Sequence, residues 1–135
     1  MIQIAIVEDE EIYVKQLTEY IRKYQKERGR SIKVTVFGDG EDIIENYSGG
    51  FDIILMDIQM RFMDGMTTAE KIRQMDQKVI IMFITNMIQY AVRGYEVDAM
   101  DYVVKPVEYF SFSQKLDKAI GRIRSEAKEF LMITI

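Results

Sequence analysis

The stretch Phe51-Asp-Ile-Ile-Leu-Met-Asp57 decides the fold of this chain of 135 residues. Residues 53 to 56 are all apolar, without polar alternation, which is typical of a strand buried on both faces of a parallel sheet. The run then ends abruptly in the carboxylate of Asp57. Because ligands bind outside the carboxyl ends of the strands in open α/β sheets, we expect Asp57 to lie at a functional edge.

Further apolar runs predict the other strands of the same sheet, at residues 2–7, 32–37, 79–84 and 99–104. Stretches with apolar residues at helical spacing separate these runs, and another follows the last one. Strands that alternate with helices predict a parallel sheet covered on both faces, with right-handed crossovers. The predicted fold class is therefore α/β, a flavodoxin-like doubly wound (βα)5 sandwich with the strand order 2-1-3-4-5.

The composition excludes several kinds of site. The chain has no Cys and no His, which removes thiolate nucleophiles, the Ser-His-Asp triad and His-ligated metals. A metal must be held by oxygen, as Mg²⁺, Ca²⁺ and Mn²⁺ are. The net charge of −4 disfavours nucleic-acid binding by the overall field. No apolar run approaches the roughly 20 residues of a membrane span, so no membrane partner and a cytoplasmic location are expected.

Polar side chains stand where four predicted strands end: Glu8-Asp9, Asp57, Thr85 and Lys105. In a parallel sheet these ends share one edge, so we expect three carboxylates, a hydroxyl and an ammonium to converge. Clustered carboxylates repel one another, and a hard cation such as Mg²⁺ relieves that repulsion. The cation can also neutralise an incoming phosphoryl group, for which Asp57 is the central carboxylate acceptor. Glu8 and Thr85 also fit ordinary roles at helix starts.

Taken together, these motifs resemble the receiver domain of bacterial two-component response regulators. The resemblance covers roughly residues 2 to 126. It rests on Glu8-Asp9, Asp52-Ile-Ile-Leu-Met-Asp57, Met63-Asp-Gly-Met66, Thr85 and Asp101-Tyr-Val-Val-Lys-Pro106. The resemblance implies that Asp57 is the phosphoacceptor. It also implies that Asp9 and Asp57 ligate Mg²⁺ with the backbone carbonyl of Gln59, while Glu8 acts mainly through a metal-bound water.

The same resemblance assigns roles on the phosphoryl side of the site. Thr85 and Lys105 are expected to hold the phosphoryl oxygens. Tyr102 occupies the aromatic position that turns inward when Thr85 is drawn to the phosphate. The bond between Lys105 and Pro106 is expected to be cis, and Pro106 is the only proline of the chain.

The run from Asn86 to Tyr102 resembles receivers that are joined to a LytTR-type DNA-binding domain. Residues 129–135 look like the opening strand of such a domain, cut short. We therefore expect a receiver domain at residues 1–126 and, at residues 127–135, a linker and the truncated start of a C-terminal output domain. DNA is expected as a partner only through that missing domain.

The expected function is a phosphorylation-activated signalling switch. A sensor histidine kinase donates a phosphoryl group to Asp57. The face formed by the fourth helix, the fifth strand and the fifth helix of the predicted fold then dimerises or releases the output domain. The chain is not expected to be an enzyme, because it catalyses only its own aspartyl phosphorylation and dephosphorylation. An aspartyl phosphohydrolase is disfavoured, since Gln59 stands where such enzymes carry a second Asp.

Departures from the family pattern leave one alternative open. Arg61 replaces the usual proline after the acceptor strand, which should loosen the loop and place a cation near the acids. Asn86 replaces a usually small residue and should narrow access to the phosphoryl group. The alternative is a pseudo-receiver that acts as a protein-interaction module without phosphorylation.

Overall fold

A computed structural model describes residues 1–86 and 95–134, with side chains described as far as residue 124. Five parallel strands form one sheet: β1 (Ile2–Val7), β2 (Ile32–Phe37), β3 (Ile53–Met56), β4 (Ile80–Thr85) and β5 (Ala99–Val104). Their order is β2-β1-β3-β4-β5, which confirms the predicted doubly wound topology. This order places β1 and β3 side by side at the centre of the sheet.

The described helices follow the strands in alternation: α1 (Glu11–Arg28), α2 (Gly40–Glu45), α3 (Gly65–Met75) and the C-terminal helix (Tyr109–Thr134). The predicted segment of residues 87–94 between β4 and β5 lies outside the described residues, and with it one of the three elements of the proposed dimerisation face. Within the described part of the chain, no helix has both the length and the apolar character that a bilayer crossing requires.

The sheet is apolar on both faces because each face carries its own helical layer. Leu55 faces a cluster formed with Leu17 of α1 and Phe112 of the C-terminal helix. Met56, the next residue, faces a second cluster that includes Ala69 of α3. All residues of β3 are fully buried, as the uninterrupted apolar run predicts. Burial on both sides fixes β3 firmly and therefore fixes the position of Asp57 at its end.

The C-terminal helix continues to Thr134, so the strand expected over residues 129–135 is wrong for residues 129–134. Ile135 lies outside the described residues. A strand needs a neighbouring strand to accept and donate its main-chain hydrogen bonds, whereas a helix satisfies them within the segment. Continuation of the preceding helix therefore satisfies the main-chain hydrogen-bonding groups of this apolar stretch better than an unpaired strand would. The proposed domain boundary at residue 126 stays a prediction.

The start of α3 packs against the acceptor segment without room for a side chain. A Cβ atom on Gly65 would lie 2.1 Å from the main-chain oxygen of Asp57 and 2.9 Å from the Cα of Ile58. The amide of Gly65 also donates a hydrogen bond of 2.7 Å to the carbonyl of Ile58. The absence of a side chain at position 65 therefore helps to set the path of the chain that follows Asp57.

We predict that Gly65→Ala lowers the free energy of unfolding by about 2 kcal/mol or more, because overpacking forces the backbone to shift. Gly121→Ala is the matched control, since a Cβ there meets nothing within 4 Å. Alanine in an open helix position should instead stabilise by about 0.5–1 kcal/mol. Urea denaturation measures both effects. Similar values for the two variants would contradict this account of the contact.

Candidate functional site

Main-chain hydrogen bonds that continue the sheet fix three predicted site residues at its carboxyl edge. The amide of Glu8 donates to the last carbonyl of β2 at 3.0 Å, and the amide of Asp57 donates to the last carbonyl of β1 at 3.0 Å. The amide of Lys105 donates to Thr85, the last residue of β4, at 3.1 Å. Each residue is thus anchored by its backbone one step beyond the regular strands, and the side chains meet at one edge.

A buried cluster of charges forms where these side chains meet. The Lys105 Nζ atom lies 2.9 Å from Glu8 Oε2 and 3.1 Å from Asp57 Oδ2. The side chains of Lys105, Glu8 and Asp57 are only 5%, 1% and 4% exposed. Because an unpaired charge is strongly disfavoured in such surroundings, the ammonium and the two carboxylates depend on one another. The other oxygen of Glu8 accepts a hydrogen bond of 3.1 Å from the amide of Glu10.

Burial dominates the electrostatics of Glu8. It raises the pKa of this carboxyl to about 7, and the charge of Asp57 adds to the rise, while the hydrogen bond from Lys105 opposes it. Burial alone would lower the pKa of Lys105, but its bonds and charge interactions with Glu8 and Asp57 outweigh that effect and raise it. Lys105 is therefore protonated at neutral pH, and the pKa of Glu8 lies well above the ordinary value of a glutamate.

An open cavity of about 530 Å³ lies above this cluster. Among the described residues, its lining consists of Asp9, Glu10, Tyr13, Asp57, Gln59, Met60, Arg61, Asn86 and Lys105. Four predicted site residues thus reach the cavity directly: Asp9, Asp57, Gln59 and Lys105. Glu8 is not part of this lining, and its place is in the buried ion cluster with Lys105. The structure therefore brings the exposed carboxylate of Asp9, the buried carboxylate of Asp57 and the ammonium of Lys105 to one opening.

The remaining predicted residues lie beside the cavity rather than in its described lining. Thr85 ends β4 and is buried. The ring of Tyr102, on β5, packs against Phe83 with 5.3 Å between ring centroids, and the side chain is half-buried. The peptide bond between Lys105 and Pro106 is cis. The switch roles of Thr85 and Tyr102 stay predictions.

The oxygen donors at this edge fit a hard divalent cation. Asp57 Oδ1 is buried and has no hydrogen-bond partner among the described residues, so this oxygen has a lone pair available. Carboxylate oxygens of Glu8, Asp9 and Glu10 lie within 4.8 Å of one another. Oxygen ligands of this kind are the ones that Mg²⁺ takes in proteins. Glu10 is an addition to the predicted set, because in the sequence it is indistinguishable from an ordinary acid at a helix start.

Tyr13 is a functional contact that the sequence did not reveal. The Lys105 Nζ atom lies 3.7 Å from the centroid of the Tyr13 ring, within the range of a cation–π interaction. Tyr13 also lines the cavity. Its position in α1 shares the helical spacing of core residues such as Leu17, so only the packing of α1 over the strand ends distinguishes its role.

Arg61 and Asn86, the two departures from the family pattern, both line the cavity. Arg61 therefore lines the same opening as the acids, with its guanidinium 5.4 Å from the centroid of the Phe62 ring. Its main-chain amide donates a hydrogen bond of 3.1 Å to Asp9 Oδ2, a bond that proline, which has no N–H, could not form. This bond fastens the loop at the position where the sequence predicted loosening.

Comparisons with known proteins agree with this geometry. The family profile "Response regulator receiver domain" matches residues 4–117. The chain therefore belongs to the response regulator receiver domain family, and the resemblance inferred from its motifs is confirmed.

Among individual proteins, the chain is similar to the transcriptional regulatory protein YpdB of Escherichia coli strain K12, with 32% identity over 117 residues, 86% of this chain and 46% of that protein. It is also similar to the sensory transduction protein LytT of Bacillus cereus, with 32% identity over 120 residues, 87% of this chain and 47% of that protein. The chain thus spans about half the length of these relatives. The crystal structure of the response regulatory domain of protein mrkE from Klebsiella pneumoniae superposes with a TM-score of 0.82 at 28% identity, covering 92% of this chain and 99% of that one.

We predict that Lys105→Met lowers the free energy of unfolding by about 3 kcal/mol, because the buried carboxylates of Glu8 and Asp57 lose their common cation. Lys15→Met is the control, since Lys15 pairs with Glu11 on an exposed helix surface. Its loss should amount to less than about 0.5 kcal/mol. Chemical denaturation in the presence of EDTA measures both. Equal losses would show that the buried cluster contributes little.

Proposed function

We propose that this domain is the phosphorylation-activated receiver of a two-component response regulator and that Asp57 accepts a phosphoryl group from a sensor histidine kinase. One observation carries the proposal: the two oxygens of Asp57 have different surroundings. Oδ2 is held by Lys105 at 3.1 Å, and the buried Oδ1 has no hydrogen-bond partner among the described residues. The carboxylate is thus oriented beside an open cavity by one oxygen, while the other makes no competing hydrogen bond to a described residue.

Mg²⁺ is the cofactor that fits this site. We assign its direct ligands to Asp9, Asp57 and the main-chain carbonyl of Gln59, with Glu8 acting through water. When bound, the cation offsets the negative charge of the phosphoryl group that approaches these acids. Glu8 and Lys105 set the charge balance beneath the site, and a hard oxygen-rich donor set of this kind favours Mg²⁺ over softer metals.

The transfer itself is a displacement at phosphorus. An Asp57 carboxylate oxygen attacks the phosphorus atom of a phosphohistidine, and a phosphorus–oxygen bond forms as the donor's phosphorus–nitrogen bond breaks. The electron pair of that bond leaves with the imidazole nitrogen. Lys105, an ammonium already 3.1 Å from Asp57 Oδ2, neutralises charge on the transferred oxygens, and Thr85 donates a hydrogen bond to them. Hydrolysis of the acyl phosphate by water returns the free carboxylate.

The proposed output depends on Thr85 at the end of β4 and on Tyr102 within the neighbouring strand β5. Recruitment of Thr85 to the phosphoryl group vacates space that the Tyr102 ring fills, and a pre-existing equilibrium between two states shifts. In the full-length regulator this shift promotes dimerisation or releases a LytTR-type DNA-binding domain. The location in the cytoplasm and the restriction of catalysis to self-phosphorylation and self-dephosphorylation belong to the same proposal.

The pseudo-receiver is retained as the second candidate because of Arg61 and Asn86, which both line the cavity. A guanidinium and an amide at this opening compete with the cation and narrow the path of the donor. In this alternative the domain keeps the fold and the buried ion cluster but binds a partner without phosphorylation. Reaction with a small phosphodonor therefore separates the two candidates.

We predict that acetyl phosphate with Mg²⁺ converts the wild-type domain to a species retarded on a Phos-tag gel. Asp57→Asn should abolish the shift, because an amide cannot form the acyl phosphate. Asp98→Asn is the matched control: Asp98 precedes β5 at the opposite edge of the sheet and has a φ of 53°, which asparagine tolerates. An unshifted wild type, or a shift that survives in Asp57→Asn, would exclude Asp57 as the acceptor.

We also predict that Mg²⁺ raises the thermal unfolding temperature of the wild type and that EDTA reverses the effect. Preferential binding to the folded state stabilises it by about 2.7 kcal/mol at a hundredfold excess over Kd. Asp9→Asn should reduce this response, because it removes a charged ligand, whereas Asp98→Asn should retain it. Differential scanning fluorimetry measures the shifts. Identical unfolding temperatures with Mg²⁺ and with EDTA would favour the pseudo-receiver.

A further inference from the structure

The loop of residues 57–64, between β3 and α3, carries a predicted metal ligand without regular secondary structure of its own. Gln59, whose main-chain carbonyl is the proposed ligand, belongs to this loop, and the amide of Arg61 donates to Asp9 Oδ2. A loop without helix or sheet bonds depends for its position on contacts with the rest of the domain. A group outside the loop must therefore hold the loop in place.

The Asp39 carboxylate makes two of these contacts. It is 5% exposed and accepts three main-chain N–H bonds, each of 3.0 Å. One comes from Glu41 and begins α2 as an N-cap, whereas the other two come from Phe62 and Met63 in the loop. A helix cap needs only the first of these bonds. The other two join the loop to the end of β2.

Close packing at the next residue supports the same contact independently. A Cβ atom on Gly40 would lie 2.7 Å from the main-chain oxygen of Met63 and 1.9 Å from Thr68 Oγ1. The turn that presents Asp39 therefore lies directly against the loop, with no room for a side chain between them. Both observations describe one surface on which the loop rests.

The held segment is continuous with the metal site. Phe62, whose amide donates to Asp39 Oδ1, is adjacent to Arg61, whose amide donates to Asp9 Oδ2 at 3.1 Å. Gln59 lies just before these residues in the same loop. Asp39 does not belong to the described lining of the cavity above Asp57. It therefore acts on the site through the loop and not as a ligand.

We propose that Asp39 is a positioning residue for the cation site, which holds the loop so that the Gln59 carbonyl and the Asp9 carboxylate face the cation together. This inference rests on the proposed function. A carboxylate suits the task because it accepts on both oxygens, and charged acceptors form stronger bonds to main-chain N–H groups. An asparagine has one acceptor oxygen, and its NH₂ group would face an N–H donor.

We predict that Asp39→Asn weakens Mg²⁺ binding about tenfold, at the lower end of the effect of outer residues that orient metal ligands. Asparagine remains a good N-cap, so α2 and the fold are retained. Asp39→Ser, which also keeps a capping oxygen, is the second variant and should weaken binding similarly. Titration with Mg²⁺, followed by the amide resonances of Arg61, Phe62 and Met63, measures the Kd independently of phosphorylation.

Asp76→Asn is the matched control. The Asp76 carboxylate accepts main-chain N–H bonds from Lys78 and Val79 at 3.0 and 3.1 Å, but it does so in the loop before β4, at the opposite edge of the sheet. Loss of a loop-holding carboxylate there should lower stability and leave the Mg²⁺ Kd unchanged. A merely structural role for Asp39 would give the same result in both variants.

The outcomes separate the two proposals. A wild type that binds Mg²⁺, with a tenfold weaker Asp39→Asn and an unchanged Asp76→Asn, supports the positioning role. A wild type that binds Mg²⁺ with a Kd shared within twofold by Asp39→Asn overturns the positioning role and leaves the proposed function intact. A wild type that binds no Mg²⁺ overturns both.

Discussion

The site depends on one interaction, the sharing of the buried Lys105 ammonium between Glu8 and Asp57. These three residues come from the ends of β5, β1 and β3, so they can meet only if those strands leave the same edge of one sheet. The interaction also ties the three charges to one another. Two buried carboxylates need a cation close by, and removal of that cation alone destabilises the fold more than replacement of all the buried charges by apolar residues. Fold and site therefore constrain each other. The sheet order brings the three charged side chains together, and a shift of the strand ends would break their ion pairs.

The position of each charged group is set by apolar neighbours. Asp57 is rigid because β3 is buried on both faces and because Gly65 lets α3 begin directly against it. The loop beyond Asp57 is held differently, by the carboxylates of Asp39 and Asp9, which accept hydrogen bonds from main-chain N–H groups of the loop. The acceptor is thus placed by packing and the loop by hydrogen bonds. Packing resists displacement strongly, whereas hydrogen bonds can exchange partners, so the loop is the part of the site best able to adjust when a cation enters.

Local patterns were enough to predict the strands and the meeting of Asp57 with Lys105, because an uninterrupted apolar run and a parallel sheet leave few arrangements. They were not enough for Tyr13 or Asp39. Tyr13 repeats with the spacing of the α1 core, and Asp39 stands in a Gly-Asp-Gly segment that reads as a plain turn, so both roles arise only when distant elements pack together. The expected strand at residues 129–134 failed for a related reason: apolar, β-prone residues do not form a strand without a partner, and here they extend a helix.

Asp57 Oδ1, buried without a hydrogen-bond partner among the described residues, links stability to reactivity in this domain. A buried oxygen that finds no partner costs about 1–3 kcal/mol, and a cation or a hydrogen-bond donor that reaches it recovers that loss. A substitution that supplies such a donor from a neighbouring residue would therefore stabilise the fold and, at the same time, occupy an oxygen of the proposed acceptor. Thermal stability and reactivity thus place opposite demands on this one atom.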